Sequence, residues 1–564
     1  MGVERIKVER RIFQGITGRL VAGGMLALAF FGLMIMVSGL HDKAWSAPRK
    51  QLSNFKNKPN IVLIQADDIV RSDIKYMPKV RALIGQAGTT FTNHNAPYPL
   101  CGPARASLLT GQLAHNNQVL ANFKANDGGY YRLRDLPGKL NEDNSLAPWM
   151  KKAGYRTGFV GKYLNDYGAL DRTEIPKGWD DWRALIDQST YDYYNYAMNI
   201  NGKVKYWGDR DYAEAQMKLG TLGATNPPTT FGEFYSMFQQ AFVPFDYFGW
   251  QRPQDYSMDI NGSMARDFVR KSAPSRKPFF LYYAPPGPHA EDTNHIQGLR
   301  PNAPGPDPRP PKRYEKSFDQ VDLPKPPSFN EEDVSDKASN VKNLAKMSDA
   351  QIERVTESYR GRLGAVKSID DQVGKIAKAL RQRGELKNTV IIFTSDNGYL
   401  QGEHRLAASK FMPFENALRI PLLIRGPGIK AKRKISRPSL DVDLTRTVLA
   451  AAGAKPGRLM DGISLLAPAR GKKQLPKRDI PMEAERPLFK FTTPLTAFDV
   501  PFYGVKTDRY KYIHWSFGEF ELYDMKKDPH ELENIANDPG MAGVMAKLET
   551  KAAALKKCKG TSCR

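Results

Sequence analysis

Asn60-Ile61-Val62-Leu63-Ile64-Gln65-Ala66-Asp67-Asp68 is a short apolar run, rich in β-branched residues, that stops on two adjacent carboxylates. Apolar without alternation, it reads as a strand buried on both faces, as parallel strands of α/β sheets are. Side by side at the carboxyl end of such a strand, two carboxylates repel each other and are costly without a cation. Ligands of open α/β sheets gather at that edge. Taken alone, the pair also reads as one Asp capping the following turn.

The same design returns along the chain. Thr389-Val390-Ile391-Ile392-Phe393-Thr394 ends in Ser395-Asp396-Asn397-Gly398, and Tyr155–Val160 delivers Gly161-Lys162-Tyr163-Leu164-Asn165. Pro278–Tyr283 runs into Pro285-Pro286-Gly287-Pro288-His289, and Ile420–Ile424 adds another buried strand. Leu363, Val366, Ile369, Val373, Ile376 and Leu380 recur at three- and four-residue steps, the signature of an amphipathic helix laid on the sheet ahead of the Thr389 strand. Strands interleaved with helices point to an α/β fold. Asp67, Asp68, Asp396 and Asn397 are all hard oxygen donors, a set that favours Ca²⁺ or Mg²⁺ over zinc.

Pro99-Leu100-Cys101-Gly102-Pro103-Ala104-Arg105-Ala106-Ser107-Leu108-Leu109-Thr110-Gly111 reads as an apolar turn leading into a short helix, with Pro103 at its first position. Cys101 then faces free backbone amides and the positive end of the helix dipole, with Arg105 about one turn on. A lone cysteine is more often inert core filler. Here Cys-x-Pro-x-Arg followed by Ala-Ser-Leu-Leu-Thr-Gly resembles the defining motif of the formylglycine-dependent (type I) sulfatases. Ala104 stands where that family usually has Ser.

The resemblance implies an alkaline-phosphatase-like architecture: a large mixed, mostly parallel sheet sandwiched by helices, with a smaller C-terminal antiparallel sheet plus helix. It implies that a formylglycine-generating enzyme oxidises Cys101 to an aldehyde, 3-oxoalanine, whose hydrate is the nucleophile. A divalent metal, commonly Ca²⁺, would be held by Asp67, Asp68, Asp396, Asn397 and the oxygen derived from Cys101. Arg105, Lys162, His289 and Lys410 would complete the catalytic set, with Asn165 and His404 toward substrate. The family commonly has Gly-Lys-Trp-His where this chain has Gly161-Lys162-Tyr163-Leu164, so one candidate base is missing. That variant, followed by Asn165 and by Pro176-Lys177-Gly178-Trp179, is similar to the branch of N-acetylglucosamine-6-sulfatases and heparan endosulfatases. Sulfate esters of amino-sugars or polysaccharides are then the expected substrates. A phosphate or phosphonate ester hydrolase of the same fold and a non-catalytic polyanion-binding protein are the competing readings.

The 564 residues carry a net charge of +24, spread along the chain, which suits either a solvated surface or an anionic partner. No nucleic-acid-binding motif appears, and a sulfated or otherwise acidic polymer fits the charge equally well. Three cysteines exclude a disulfide framework, although Cys558 and Cys563 are close enough to pair locally. Lys7, Arg10, Arg11 and Arg19 precede an almost wholly apolar run from Leu20 to Leu40, then Ala44-Trp45-Ser46-Ala47. That is the order of an export signal, and its apolar core is also long enough for an uncleaved anchor through residues 20–40. Either way the body is exported, periplasmic or secreted.

The expected organisation is a signal or anchor at 1–47, a catalytic domain at 48–467, a small sheet domain at 468–556 and a tail at 557–564. Residues 179–256 are crowded with aromatics, among them Trp179, Trp182, Tyr191, Tyr247 and Trp250, which serve packing or stack on sugars. Residues 285–327 hold twelve prolines and read as a long surface loop. Strands around Gly504–Ile513 and Glu521–Asp524 belong to the small sheet, and Asp528-Pro529-His530 is expected to open a terminal helix.

Overall fold

The run that begins at Asn60 forms β1 (Asn60–Ala66), and every residue of it is buried. The computed structural model describes residues 58–225, 252–275, 277–291, 308–486 and 500–564. The 1–47 signal or anchor, Tyr247 and Trp250 lie outside the described residues.

After β1 come β2 (Thr89–Asn95), β3 (Arg156–Gly161), β4 (Asp181–Leu185), β5 (Tyr196–Ile200) and β6 (Lys203–Trp207). They are followed by β7 (Phe279–Ala284), β8 (Thr389–Ser395), β9 (Arg419–Arg425), β10 (Arg433–Ile435) and β11 (Ser439–Leu440). These make one mixed sheet in the order β10-β2-β9-β8-β1-β7-β3-β4-β5-β6, with β11 beside β2. Its centre, β8-β1-β7-β3-β4, is parallel. The hairpin β5-β6 and the strand β9 join antiparallel on opposite flanks.

Helices cover both faces: α1 (Cys101–Thr110), α2 (Leu146–Lys152), α3 (Ser257–Ser272), α4 (Asp349–Gln382) and α5 (Val442–Ala452); α6 (Ala542–Leu555) packs instead on the small second sheet. Alternate residues of β1 explain the sandwich. Ile61 and Leu63 face Leu108, Met150 and Val448, whereas Val62 and Ile64 face Phe268, Ile369 and Val373. The helix expected from the apolar spacing is α4. It starts in a capping box, Ser348 Oγ accepting the Gln351 amide at 3.3 Å while Gln351 Oε1 accepts the Ser348 amide at 2.9 Å.

Register sets the height of the site. Asn60 pairs with Thr389 and Ala66 with Ser395, so Asp67 and Asp396 leave adjacent strands at one level. Gly161 pairs with Ala284, which brings Lys162 and the turn toward His289 to the same edge.

A second sheet, β12 (Ile480–Ala484), β13 (Phe502–Lys506), β14 (Tyr510–Trp515) and β15 (Phe520–Asp524), is antiparallel throughout. Met482, Phe502 and Trp515 pack with Leu100, Phe411 and Met412, joining this sheet to the turn before α1. The terminal helix does not open at Asp528. Asp528 Oδ2 instead accepts the Glu533 amide at 2.9 Å, and Glu531 takes a left-handed φ of 60°. That local side-chain bond competes with helix, and α6 starts only at Ala542. Helix α1 starts at Cys101, two residues earlier than the position of Pro103 suggests; proline is still tolerated there because first-turn amides have no intrahelical acceptor. Cys558 and Cys563 form a disulfide, and the Cys558 carbonyl accepts from Asn116 Nδ2 at 2.8 Å.

Asp443 is a fully buried junction between α5 and the chain beyond it. Its carboxylate accepts the amides of Leu440 and Ile463, each at 2.8 Å, and pairs with Arg478. Asp443→Ala leaves Arg478 buried without its partner and is expected to cost about 3–5 kcal/mol, read as the loss in unfolding free energy by chemical denaturation.

Candidate active site

At the carboxyl edge of the parallel strands, Asp67, Asp68, Cys101, Arg105, Asp396 and Asn397 are all fully buried. The Asp67 amide donates to the Gly287 carbonyl at 3.1 Å, fastening the end of β1 to the turn that carries His289. Asp68 turns the chain at a φ of 66°, a left-handed conformation that Asp tolerates better than most residues. Its amide reaches Asp396 Oδ1 at 3.2 Å, and the Asn397 amide reaches the same oxygen at 2.8 Å. Gly398 follows because a side chain there would stand 1.9 Å from the Asn416 carbonyl.

Cys101 is the first residue of α1, and Gly102 beside it is needed because an added Cβ would meet the Ala121 carbonyl at 2.7 Å. The sulfur lies 3.5 Å from Asp67 Oδ1 and 3.0 Å from Lys410 Nζ. Burial pushes its thiol up to about 12, with Asp67 adding and Lys162 and Lys410 opposing. One turn on, Arg105 Nε donates to Asp396 Oδ2 at 2.8 Å and Nη1 to the Lys162 carbonyl at 2.8 Å. Lys162 pairs with Asp67, and Lys410 Nζ with both oxygens of Asp68 at 2.8 and 3.0 Å. Burial alone lowers a lysine, yet Asp67 holds Lys162 above its ordinary range and Asp68 holds Lys410 well above it. His289 Nδ1 lies 2.7 Å from the Ala290 carbonyl, which can only accept, so Nδ1 carries the proton; Nε2 faces Asp68 at 3.8 Å.

Asp67, Asp68 and Asp396 bring carboxylate oxygens within 4.8 Å of one another. Asn397 Oδ1 beside them is buried with no hydrogen-bond partner among the described residues. An all-oxygen donor set of this charge fits a hard divalent cation.

The two residues expected toward substrate, and Leu164, stand outside the cluster. Asn165 stands one step back, its Nδ2 donating to the Tyr191 hydroxyl at 2.6 Å. His404 stacks on Phe414 at 4.1 Å, with Nδ1 2.6 Å from Glu331 Oε2, and none of its described contacts reaches the carboxylates. Leu164 packs in the apolar core beside Tyr163.

Two neighbours of the cluster were not among the expected site residues: Tyr191, offered by the sequence only as one of many aromatics, and Arg362. Tyr191 lies under Lys162 Nζ at 4.5 Å and against the His289 ring at 4.2 Å, linking both to Asn165; in an aromatic-rich stretch nothing distinguished it. Arg362 belongs to α4, a helix whose pattern suggested packing alone. It donates to the Asp68 carbonyl at 2.7 Å and the Pro288 carbonyl at 3.2 Å, so it holds two site-bearing turns. The readable signal was a charged residue beside Leu363, within the buried stripe. Most of the other described aromatics of 179–256 pack in the core, Trp182 stacking on Phe159 at 4.7 Å.

The sulfatase family matches residues 59–454, and the C-terminal region of N-sulphoglucosamine sulphohydrolase matches residues 402–558. The chain belongs to the sulfatase family. It is 31% identical over 543 residues to N-acetylglucosamine-6-sulfatase of Capra hircus, covering 90% of this chain and 85% of that one. It is also 31% identical over 458 residues to the extracellular sulfatase SULF-1 homolog of Drosophila melanogaster, covering 79% of this chain and 35% of the relative. Among solved structures, that of BT4656 in complex with its substrate D-glucosamine-2-N,6-O-disulfate superposes with a TM-score of 0.65 at 22% identity, covering 89% of this chain and 98% of that one. This last likeness shows the shared fold. Sulfuric ester hydrolysis is the reaction class of this sulfatase.

Buried carboxylates that gather a cation gain stability from it by mass action. Exhaustive chelation is therefore expected to lower the thermal midpoint of the purified protein, and added Ca²⁺ to restore it. At a hundredfold excess over its dissociation constant the ion contributes about 2.7 kcal/mol. An unchanged midpoint in a scan with and without chelator would rule out an ion in the cluster.

Proposed function

We propose that this protein hydrolyses sulfate esters on sulfated amino-sugars, using a formylglycine formed from Cys101 and a divalent cation, Ca²⁺ by preference. The observation that carries the reading is the approach of Cys101 Sγ to Asp67 and Lys410 inside a buried, all-oxygen cluster. Asp67, Asp68, Asp396 and Asn397 are the cation's ligands in this reading. When present, the cation supplies positive charge at the sulfate oxygens and the aldehyde hydrate supplies the attacking hydroxyl.

The chain's own residues divide the remaining work. Three aspartates exceed a divalent charge by one and a sulfate monoester adds another negative charge, while Arg105, Lys162 and Lys410 supply three positives at the same place. Arg105 fixes Asp396 and keeps the first turn of α1 in register with Lys162. Lys162 and Lys410, held in place by Asp67 and Asp68, present their positive charge where charge builds on the sulfate oxygens. Fixed cations in a dry site act without reorganisation, each worth roughly 10²–10³ in rate. His289, its Nδ1–H bonded to Ala290, presents Nε2 to the departing sugar oxygen as proton donor or hydrogen-bond partner. Asn165, whose buried Oδ1 has no partner among the described residues, is suited to a substrate hydroxyl or amide. The amino-sugar preference is supported by the relatives, and the exported location by the N-terminal pattern and the extracellular relative. Among the described residues no helix is long and apolar enough to cross a membrane.

Lys162→Ala in folded, purified enzyme is expected to slow turnover by about 10²-fold; turnover equal to wild type would remove that lysine from the reaction. Cys101→Ser should abolish activity in a host that oxidises only cysteine, and the Cys101 peptide of active enzyme should carry the mass of the aldehyde rather than the thiol. The substrate itself is tested with defined sulfated glucosamine oligosaccharides beside matched phosphate esters, the product read by mass spectrometry. Faster release of phosphate than of sulfate would replace this reading by the phosphohydrolase one.

A further inference from the structure

The edge of the sheet opposite the active site carries an unusual concentration of unpaired positive charge. Lys430, Lys432 and Lys434 are exposed around β10, and Arg470, Lys472 and Lys473 lie beside them, the Lys430 amide donating to the Ala469 carbonyl at 3.0 Å. Among the described residues none of these six has a carboxylate within ion-pair distance, whereas Lys477 and Arg478 just beyond pair with Asp508 and Asp443. The strand registers place this group. Through Thr89 and Ile424, Arg433 stands level with Ile392 in mid-strand, but Gly426 ahead of it lies against Val390 near the start of β8 and the Lys432 amide donates to the Gln86 carbonyl ahead of β2, so Lys430 and Lys432 lie toward the amino-terminal ends of the parallel strands. The active site lies at their carboxyl ends, about 20 Å away along a seven-residue strand.

The charge extends across the whole edge. Arg381, Arg383 and Lys387 are exposed between α4 and β8, and Lys277 is exposed ahead of β7. On the other face of the sheet Lys152 closes α2 and Lys455 follows α5, both exposed. From β10 to β3 this spans seven strands, about 30 Å at 4.8 Å per strand. Cations in the last turn of a helix are favoured by the helix dipole, and a lysine on an edge strand discourages sheet-to-sheet association. Those reasons cover Arg381, Lys152 and Lys434. They leave Lys430, Lys432, Lys472 and Lys473, which lie in connections, without a structural cause.

Two features identify the partner. First, the array covers both flanks of the sheet, a plane rather than a track, which matches a charged surface better than a single polymer strand. Second, the chain enters β1 at this same edge: Lys58 Nζ donates to the Ala153 carbonyl at the end of α2, and Asn60 bonds Glu385 ahead of β8. The sequence before that point holds the apolar run of residues 20–40. We propose that this basic edge docks on an anionic phospholipid bilayer, with the active site facing away from the lipid toward substrate.

The test uses full-length protein and vesicles of phosphatidylcholine, alone or with an equal part of phosphatidylglycerol, and reads the ratio of bound protein between the two. Binding through residues 20–40 would contribute to both vesicles and cancel in that ratio. Wild type should favour the anionic vesicles, and the preference should fall with added salt. Each cation near such a surface is worth roughly fivefold in partition. The variant Lys430→Gln/Lys432→Gln/Lys434→Gln/Lys472→Gln/Lys473→Gln should therefore lose at least about 10²-fold of the preference. Unchanged hydrolysis of a small sulfate ester and an unchanged thermal midpoint would show that its fold and site are intact. Should that variant misfold, Arg381→Gln/Arg383→Gln/Lys387→Gln on the other flank reads the same effect. Equal binding of wild type to both vesicles would overturn the proposal, as would an unaltered preference in the folded variants. Loss of heparin retention with unaltered vesicle preference would also overturn it, in favour of a polysaccharide-binding edge.

Discussion

Three carboxylates buried at one sheet edge are the constraint around which this sulfatase is arranged. Asp67, Asp68 and Asp396 have no exposure to water. Uncompensated, such a group would be prohibitively costly, and neighbouring charges would push protons onto it. Asp396 shows the tendency: burial and Asp67 raise it, while Arg105, Lys162 and Lys410 pull it back. Each aspartate has its own cation, Arg105 for Asp396, Lys162 for Asp67 and Lys410 for Asp68. The same arrangement that makes the fold tolerable gathers positive charge beside the Cys101 sulfur.

Supports further out keep those cations in place. The Phe411 amide donates to the Pro99 carbonyl at 2.9 Å, tying the Lys410 segment to the turn before Cys101. Phe411, Met412 and Phe414 pack in one cluster with Met482, Phe502 and Trp515 of the small sheet. Lys506 and Lys511 of that sheet share Glu415, which they and Glu531 hold in a buried charge network. The C-terminal sheet thus acts as a buttress for one side of the site. On the other side Arg362 clamps the Asp68 and Pro288 turns from beneath. The Asp68 turn and the residue before His289 are thereby both tied to α4.

Much of this was legible in the linear chain. Continuous apolar runs mark β1, β3, β7, β8 and β9 because a strand buried on both faces has no polar side to alternate with. The chemistry-bearing residues sit directly after those runs, and the Cys101 block carried the family resemblance. β2 and the β5-β6 hairpin were not anticipated, since β2 and β5 mix polar and apolar residues without a clean period and the alternation in β6, Lys203-Val204-Lys205-Tyr206, is only four residues long. Asp528 misled as a helix start because its side chain satisfies a turn as well as a cap.

By itself, then, the sequence determined which segments are buried strands, which residue types stand at their ends, and that a cysteine, carboxylates and cations are available together. Only the tertiary structure decided which of them meet. The contact between Asn397 and Asp68 joins residues 329 apart, and that between Lys410 and Cys101 residues 309 apart, through a register in which Ala66 faces Ser395. Tyr191 and Arg362 entered the site, and His404 settled against Glu331, for the same reason. Burial is written locally, in the apolar periodicity of each segment. Proximity depends on strand order and register, which are properties of the whole sheet.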